Sequence, residues 1–358
     1  MEGAELLRIV EAIHREKDID PETLFEGIES ALLTAARKQY GTTGEIKVRI
    51  DRKNGAIRAF EETPEGEVTI PLDLGRIAAQ TAKQVFIQRI REAERDGIFD
   101  YYVNHLHAIL NGTVQRYEGG TIIVNLGKTE GILPKNEQIR GEDYRVGDRI
   151  RAFCLDIKKA GQKVKIILSR SHPEFIKKLF ELEVPEMAEG LIEVRALVRE
   201  AGYKTKMAVR SVDGKIDAIG ACVGVRGTRI KNVLDELKGE KIDIIRWSDQ
   251  TEELIANALK PAQVNYITLD SENMRAKVAV EDDQLSLAIG RRGQNVRLAA
   301  KLCKWDISIM TETELQSGDE RLEESPDRIG RFDDDAELGG AGLDGATEFE
   351  EPETTSEG

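Results

Sequence analysis

The sequence predicts a multidomain α+β chain: an α/β module, a small five-stranded barrel, an α/β unit present twice, and a disordered acidic tail. Three observations carry this. Two Gly-x-x-Gly loops, Gly224–Gly227 and Gly290–Gly293, stand 66 residues apart inside a longer repeat. Ahead of them, about 60 residues break into five short β-patterned runs punctuated by glycine. Residues 311–358 carry 17 Asp and Glu against 3 Arg with few large apolar side chains, too little apolar surface to offset the entropy of ordering.

The first module covers residues 1–107. Asp20 is a good N-cap and Pro21 suits the first helical position. Leu24, Phe25, Ile28, Ala31, Leu32 and Ala35 then recur at helical spacing, ending near Gly41. Strands are expected over Glu45–Asp51, Ala56–Glu61 and Glu67–Ile70. A helical stretch from Arg76 to Leu110 follows, roughly 50 Å long at the α-helical rise. Its polar middle, Arg91–Gly97, reads as a spacer with a bend at Gly97, a stiff arm between this module and the rest.

Residues 108–172 hold the five runs: Gly112–Val114, Thr121–Leu126, Gly131–Pro134, Val146–Ile157 and Lys163–Ser169. So many short strands in so few residues suit a barrel of the oligonucleotide-binding type. Gly127-Lys128-Thr129 is no phosphate-binding loop, because that motif needs a glycine where this chain has Ile122.

The duplicated unit occupies residues 173–248 and 249–310. Lys206–Val209 answers Lys277–Val280, each Gly-x-x-Gly run answers the other, and Lys241–Ile244 answers Lys304–Ile307. Each copy reads helix, strand, strand, helix, loop, helix, strand. The short link between copies favours close packing of the two.

The formal charge of −14 is unevenly spread. Residues 1–107 carry −5, residues 108–310 carry +5, and the tail alone carries −14. The pI therefore describes the tail, while the segment with both loops is mildly basic, as a nucleic-acid surface requires. Cys154, Cys222 and Cys303 are scattered and match no metal-ligand spacing, which fits a reduced, cytoplasmic setting. Polar residues interrupt every apolar run, so no membrane association is expected. With no nucleophile elbow, metal cluster or nucleotide-binding loop, neither catalysis nor a cofactor finds support.

A Gly-x-x-Gly turn between helices lets a backbone approach a phosphate, with the amides of the next helix aimed at the anion. The expected RNA-binding residues are Gly224, Val225, Arg226, Gly227, Thr228 and Lys231 at the first loop. At the second they are Gly290, Arg291, Arg292, Gly293, Gln294, Asn295 and Arg297. The arginines and lysine would neutralise phosphates; Thr228, Gln294 and Asn295 would cap amides or touch a sugar or base edge. Val223, Ile230, Ile289 and Val296 are expected in the core, and Trp247 and Trp305 read as packing residues.

Longer runs carry a resemblance. Ile216–Gly227 with Gly239–Trp247 resembles the first KH domain of the NusA family of bacterial transcription factors, and Ala288–Ala299 resembles its second. Ile167–Pro173 and Glu183–Glu186 are similar to the family's joint between barrel and first KH domain. The resemblance implies an N-terminal domain that docks on RNA polymerase core, an S1-type OB barrel and two tandem type II KH domains. It further implies contact with nascent single-stranded RNA, enhancement of pausing, help to intrinsic termination, and entry into antitermination complexes with other factors; a monomer is expected. The barrel departs by placing Ile122, Val124, Leu133 and Pro134 where many such barrels show base-stacking aromatics. The tail lacks sequence for folded acidic repeats. A phosphorolytic exoribonuclease also combines KH and OB modules, but its core does not fit into 107 residues. A ribosomal factor with a type II KH domain would not need the tandem repeat or the N-terminal module.

Overall fold

The computed structural model of the chain describes residues 3–40, 45–63, 66–70, 76–317 and 328–332. They fall into two compact units, residues 1–135 with 144–168 and residues 136–143 with 169–358.

The first unit opens with helices α1 (Gly3–Lys17) and α2 (Pro21–Tyr40). Asp20 caps α2, its Oδ2 accepting the amides of Glu22 at 3.0 Å and Thr23 at 3.4 Å. Strands β1 (Glu45–Ile50), β2 (Ile57–Thr63) and β3 (Gly66–Ile70) form an antiparallel sheet in that order. Leu24, Phe25, Ile28 and Leu32 of α2 pack on Val48, Ile50 and Ala59. Helix α1, whose signal in the sequence is weak, adds only Leu6 and Val10 as buried side chains.

Helix α3 (Arg76–Val103) corrects the spacer reading. It ends before Leu110, which belongs to a strand, and it runs through Gly97 unbroken. Its first half gives Val85, Phe86, Ile90 and Ala93 to the N-terminal core. The polar middle is bonded to the barrel: Arg91 donates to Gln162 at 3.2 Å, Arg95 to the Gly161 carbonyl at 3.0 Å, and Lys159 to Asp96 at 2.7 Å. Beyond Gly97, Ile98, Phe99 and Tyr102 enter the barrel core, and the Tyr102 hydroxyl donates to the Leu126 carbonyl at 3.1 Å. One helix thus serves two cores.

The barrel strands are β4 (Ile109–Glu118), β5 (Thr121–Asn125), β6 (Glu130–Leu133), β7 (Arg149–Ala160) and β8 (Lys163–Ser169), closed in the order β4-β5-β6-β8-β7. Ile122, Val124 and Leu133 are buried in its interior. They fill the core, so they say nothing about stacking on the outer face.

In the second unit the first repeat comprises α4 (Pro173–Glu183), α5 (Pro185–Ala188), β9 (Ile192–Glu200), β10 (Lys204–Ser211), α6 (Ala218–Val223), α7 (Thr228–Glu236) and β11 (Lys241–Arg246). The second comprises α8 (Thr251–Leu259), β12 (Tyr266–Asp270), β13 (Arg275–Val280), α9 (Asp282–Ile289), α10 (Gln294–Cys303) and β14 (Asp306–Thr311). In each sheet the middle strand, β10 or β13, runs antiparallel to one neighbour and parallel to the other. The repeats share a core in which Leu254, Ile255, Ala258, Val296 and Ala299 meet Ala196, Val198, Ala208 and Ile245 of the first sheet. Val296 and Trp305 are buried as expected; Val223, Ile230 and Ile289 are half-buried.

Order continues past residue 310, where the composition predicts disorder. Helix α11 (Glu312–Ser317) follows β14, and β15 (Ile329–Gly330) pairs with β14 as an antiparallel edge strand. Gly330 permits this, since a Cβ there would lie 2.4 Å from the Val296 carbonyl. Residues 318–327 and 333–358, most of the expected tail, lie outside the described residues.

Buried ion pairs brace the second unit. Arg170 has no exposed surface and meets Glu142 at 2.5 Å and Glu236 at 2.8 Å. Glu240 accepts from Arg199 at 2.8 Å, the Gly202 amide at 2.9 Å and the Thr205 hydroxyl at 2.5 Å. Removing that carboxylate strands a buried guanidinium, a loss of about 3–5 kcal/mol. Glu240→Ala should therefore lower the protection of β9–β11 amides in hydrogen exchange, and Arg199→Met with Glu240→Met should restore most of it. Unaltered protection in Glu240→Ala would contradict this role.

Candidate nucleic-acid interface

The two Gly-x-x-Gly turns fold alike. Gly224 has φ 76° and ψ 172°, and Gly290 has φ 75° and ψ 177°, a region that is essentially glycine's alone. Space imposes the same choice: a Cβ would lie 2.8 Å from Arg229 Cγ in the first loop and 2.7 Å from Asn295 Cβ in the second. The third residue of each loop, Arg226 at φ 54° and Arg292 at φ 56°, is left-handed without being glycine. Such a residue is held at a cost of roughly 1–2 kcal/mol. Gly227 and Gly293 are the N-caps of α7 and α10, and neither helix start has a side-chain cap. The amides of Thr228 and Gln294 are already spent on the Val225 and Arg291 carbonyls, so what these helix starts offer an anion is the positive end of the helix dipole beside exposed arginines.

Each loop gathers its predicted residues. Val225 is 81 % exposed, and Arg226, Thr228 and Lys231 are exposed beside it. Thr228 turns back, donating its hydroxyl to the Val225 carbonyl at 3.0 Å. Arg291 and Arg292 are exposed on the second loop, while Gly293 is buried under them. Among the described residues, Arg226, Lys231, Arg291 and Arg292 have neither ion pair nor side-chain hydrogen bond.

Three predicted residues are committed elsewhere. Asn295 is buried, which corrects its assignment to the RNA surface. Its Nδ2 donates to the carbonyls of Leu259 at 3.0 Å and of Leu287 and Ala288 at 3.2 Å, and its Oδ1 accepts from Lys204 at 3.3 Å. Gln294 donates to Glu200 at 2.6 Å, and Arg297 pairs with the same carboxylate at 2.7 Å. Both bind the second repeat to the first.

Arg229, absent from the sequence-based set, is the counterpart of Asn295, each standing five residues after the first glycine of its loop. It donates to the Ala221 carbonyl at 2.7 Å and pairs with Glu186 at 3.0 Å. In both repeats this position satisfies carbonyls at the end of the preceding helix, directly beneath the loop's first glycine. Aligning the repeats exposes the shared polar position, although its burial shows only in three dimensions. At the same junction Lys204 and Lys206 share Asp243 at 2.7 and 2.9 Å. Burial pushes the Lys206 amine down to about 8.

Comparison with known proteins follows the same division. Residues 5–67 and 61–96 match the NusA N-terminal domain, 105–171 the S1 RNA binding domain, 170–247 the NusA-like first KH domain and 251–317 the NusA-like second KH domain. A transcription termination/antitermination protein NusA of Halalkalibacterium halodurans is 41% identical over 344 residues, 88% of this chain and 90% of that protein. The protein of that name in Bacillus subtilis is 40% identical over 365 residues, covering 91% and 98%. The one in Mycobacterium bovis is 42% identical over 314 residues, covering 83% and 90%.

Scaffold and surface positions should separate on substitution. Asn295→Ala takes a buried donor from the Leu287 and Ala288 carbonyls, while that of Leu259 keeps the Ala262 amide, at about 1–3 kcal/mol for a buried group left unsatisfied. Arg292→Gly removes only an exposed side chain and relieves a left-handed conformation. Thermal unfolding should show a lower midpoint for Asn295→Ala and an unchanged or higher one for Arg292→Gly. The reverse order would place Asn295 at the surface after all.

Proposed function

The chain belongs to the NusA family of transcription termination/antitermination proteins, and from that premise we propose how its parts divide the work. It is an RNA-binding transcription factor with S1 and KH modules. The N-terminal module docks on RNA polymerase core, and the two Gly-x-x-Gly loops hold nascent single-stranded RNA as it emerges. Held at both ends, the transcript is restrained while the polymerase pauses, terminates or enters an antitermination complex. The chain acts as a cytoplasmic monomer, without a cofactor and without catalysing a reaction. Among the described residues no helix is long and apolar enough to cross a membrane.

The observation that carries this reading is the pair of matching loops whose basic side chains have no partner among the described residues. Phosphates approach the loop backbone at the positive ends of α7 and α10, and Arg226, Lys231, Arg291 and Arg292 neutralise them. Two sites on one strand make the second contact effectively intramolecular, so neither loop is dispensable.

Replacing Val225 and Arg226 with Asp, or Arg291 and Arg292 with Asp, places negative charge where phosphates approach and spares the glycines. Each lost phosphate contact on a single strand flattens the salt dependence of binding by about 0.7. The Arg291 and Arg292 variant should therefore lose roughly 1.4 units of slope together with affinity, while circular dichroism stays unchanged. RNA affinity equal to the parent in both loop variants would falsify this site. For docking, a fragment of residues 1–97 keeps every residue of the N-terminal core. It should capture RNA polymerase core in a pull-down, and residues 98–358 should not. Capture by the second fragment alone would move docking to the RNA-binding body.

A further inference from the structure

We propose that Tyr203, at the tip of the β9–β10 hairpin, is a base-stacking platform for the RNA strand that runs between the two loops. The proposal rests on the reading of those loops as phosphate sites.

Tyr203 is 62 % exposed, and its side chain has no hydrogen bond or ring partner among the described residues. Few aromatic side chains of the second unit are so open; Tyr266, on β12, is another. The hairpin that carries Tyr203 is tied to the second loop. Glu200, three residues before it, holds Gln294 at 2.6 Å and Arg297 at 2.7 Å, and Lys204, one residue after it, holds Asn295 at 3.3 Å. All three partners lie in the first turns of the helix that leaves the second loop.

The same tip is reached from the first loop. Helix α7 leaves that loop and spans nine residues, Thr228–Glu236, about 13 Å of rise. The chain then enters β11, whose first residue donates its amide to the Tyr203 carbonyl at 3.0 Å. That residue, Lys241, is exposed, and its side chain has no partner among the described residues. A single strand passing from Arg226 and Lys231 toward Arg291 and Arg292 would pass the hairpin tip, where the Tyr203 ring is open and the exposed Lys241 begins the adjoining strand. The nearby acids are neutralised: Glu200 by Arg297, Asp243 by Lys204 and Lys206, and Glu240 by Arg199. The tip is fixed as well, because Glu240 accepts the amide of Gly202 at 2.9 Å. A fixed, uncovered ring offers stacking to any base, and an exposed lysine on the adjoining strand offers a counter-charge to the backbone.

The test measures RNA affinity of the full chain with Tyr203→Ala and Tyr203→Phe, on an unstructured oligonucleotide long enough to reach both loops and on one that fills a single loop. Loss of one stacked base weakens binding by about 5- to 150-fold. Tyr203→Ala should show that loss on the long oligonucleotide with the salt slope unchanged, and Tyr203→Phe should bind like the parent. On the short oligonucleotide the loss should shrink. Parental affinity of Tyr203→Ala on the long oligonucleotide overturns the platform while leaving the loop sites intact. A Tyr203→Ala chain that keeps its RNA affinity but loses RNA polymerase core in a pull-down without RNA would make the tip a protein contact instead. If the Asp variants at the loops leave binding unchanged, the underlying reading fails, and that outcome is separate from either result at Tyr203.

Discussion

Burial of α8 and α10 on the outer face of the β9–β10–β11 sheet is the contact from which the interface follows. A sheet face that would otherwise meet water carries Ala196, Val198, Ala208 and Ile245, and the second repeat covers them. The same face carries Glu200, Lys204 and Lys206, and those groups can be buried only because the second repeat supplies their partners. Lys206 shows this most clearly: its ammonium meets Asp243 within its own sheet and the Ala258 carbonyl of α8 at 2.7 Å. The apolar part of the junction drives association, and the polar part fixes its register, since a shift would leave buried charges unpaired. Because α10 is also the helix that leaves the second loop, this register decides where that loop stands relative to the first repeat.

The loops show a division of labour within a few residues. The first glycine must adopt a backbone conformation closed to other residues, and the side chain five positions later fills the space beneath it. That side chain differs, arginine in one repeat and asparagine in the other, yet both bond to carbonyls left over at the end of the preceding helix. Helix ends always leave such groups. A side chain that satisfies them from below frees the loop's upper surface, and that surface carries the unpaired arginines. The left-handed arginine in each loop fits this arrangement, since glycine would relax the backbone but remove the charge.

Much of the architecture is legible in the chain because glycine, turn residues and repetition are local signals. The tandem units can be aligned by eye, and five β-patterned runs indicate the barrel. What the chain does not disclose depends on partners distant in sequence. Helix α3 reads as an arm because half its apolar residues answer to one core and half to another, which leaves a polar middle that only the β7–β8 turn accounts for. Asn295 and Gln294 are adjacent amides after the same loop, and nothing local distinguishes them. One lies under Gly290 and is buried; the other reaches Glu200 across the junction. The edge strand at Ile329 lies within an acidic stretch whose composition outweighs the two residues that pair. Ile122, Val124 and Leu133 fall on strands that the pattern predicts, but which face of the barrel they line follows from closure.

Net charge is a poor guide to what such a surface binds, and the ion pairs explain why. The chain is acidic overall, with a sequence pI near 5.1, yet several acids that flank the loops are consumed by neighbours. Glu186 is bound to Arg229, Glu200 to Arg297, and Asp243 to two lysines. Glu186 and Glu200 are each matched by one arginine and Asp243 is outnumbered by its lysines, so against the exposed Asp235 of α7 the loops keep an excess of positive charge in Arg226, Lys231, Arg291 and Arg292. At physiological ionic strength a charge is felt over about 8 Å, so acids elsewhere in the chain subtract little from that local excess. Arginines bound into the structure and arginines left open to a ligand are thus distinguished by whether a carboxylate already holds them, a property of the fold that composition does not contain.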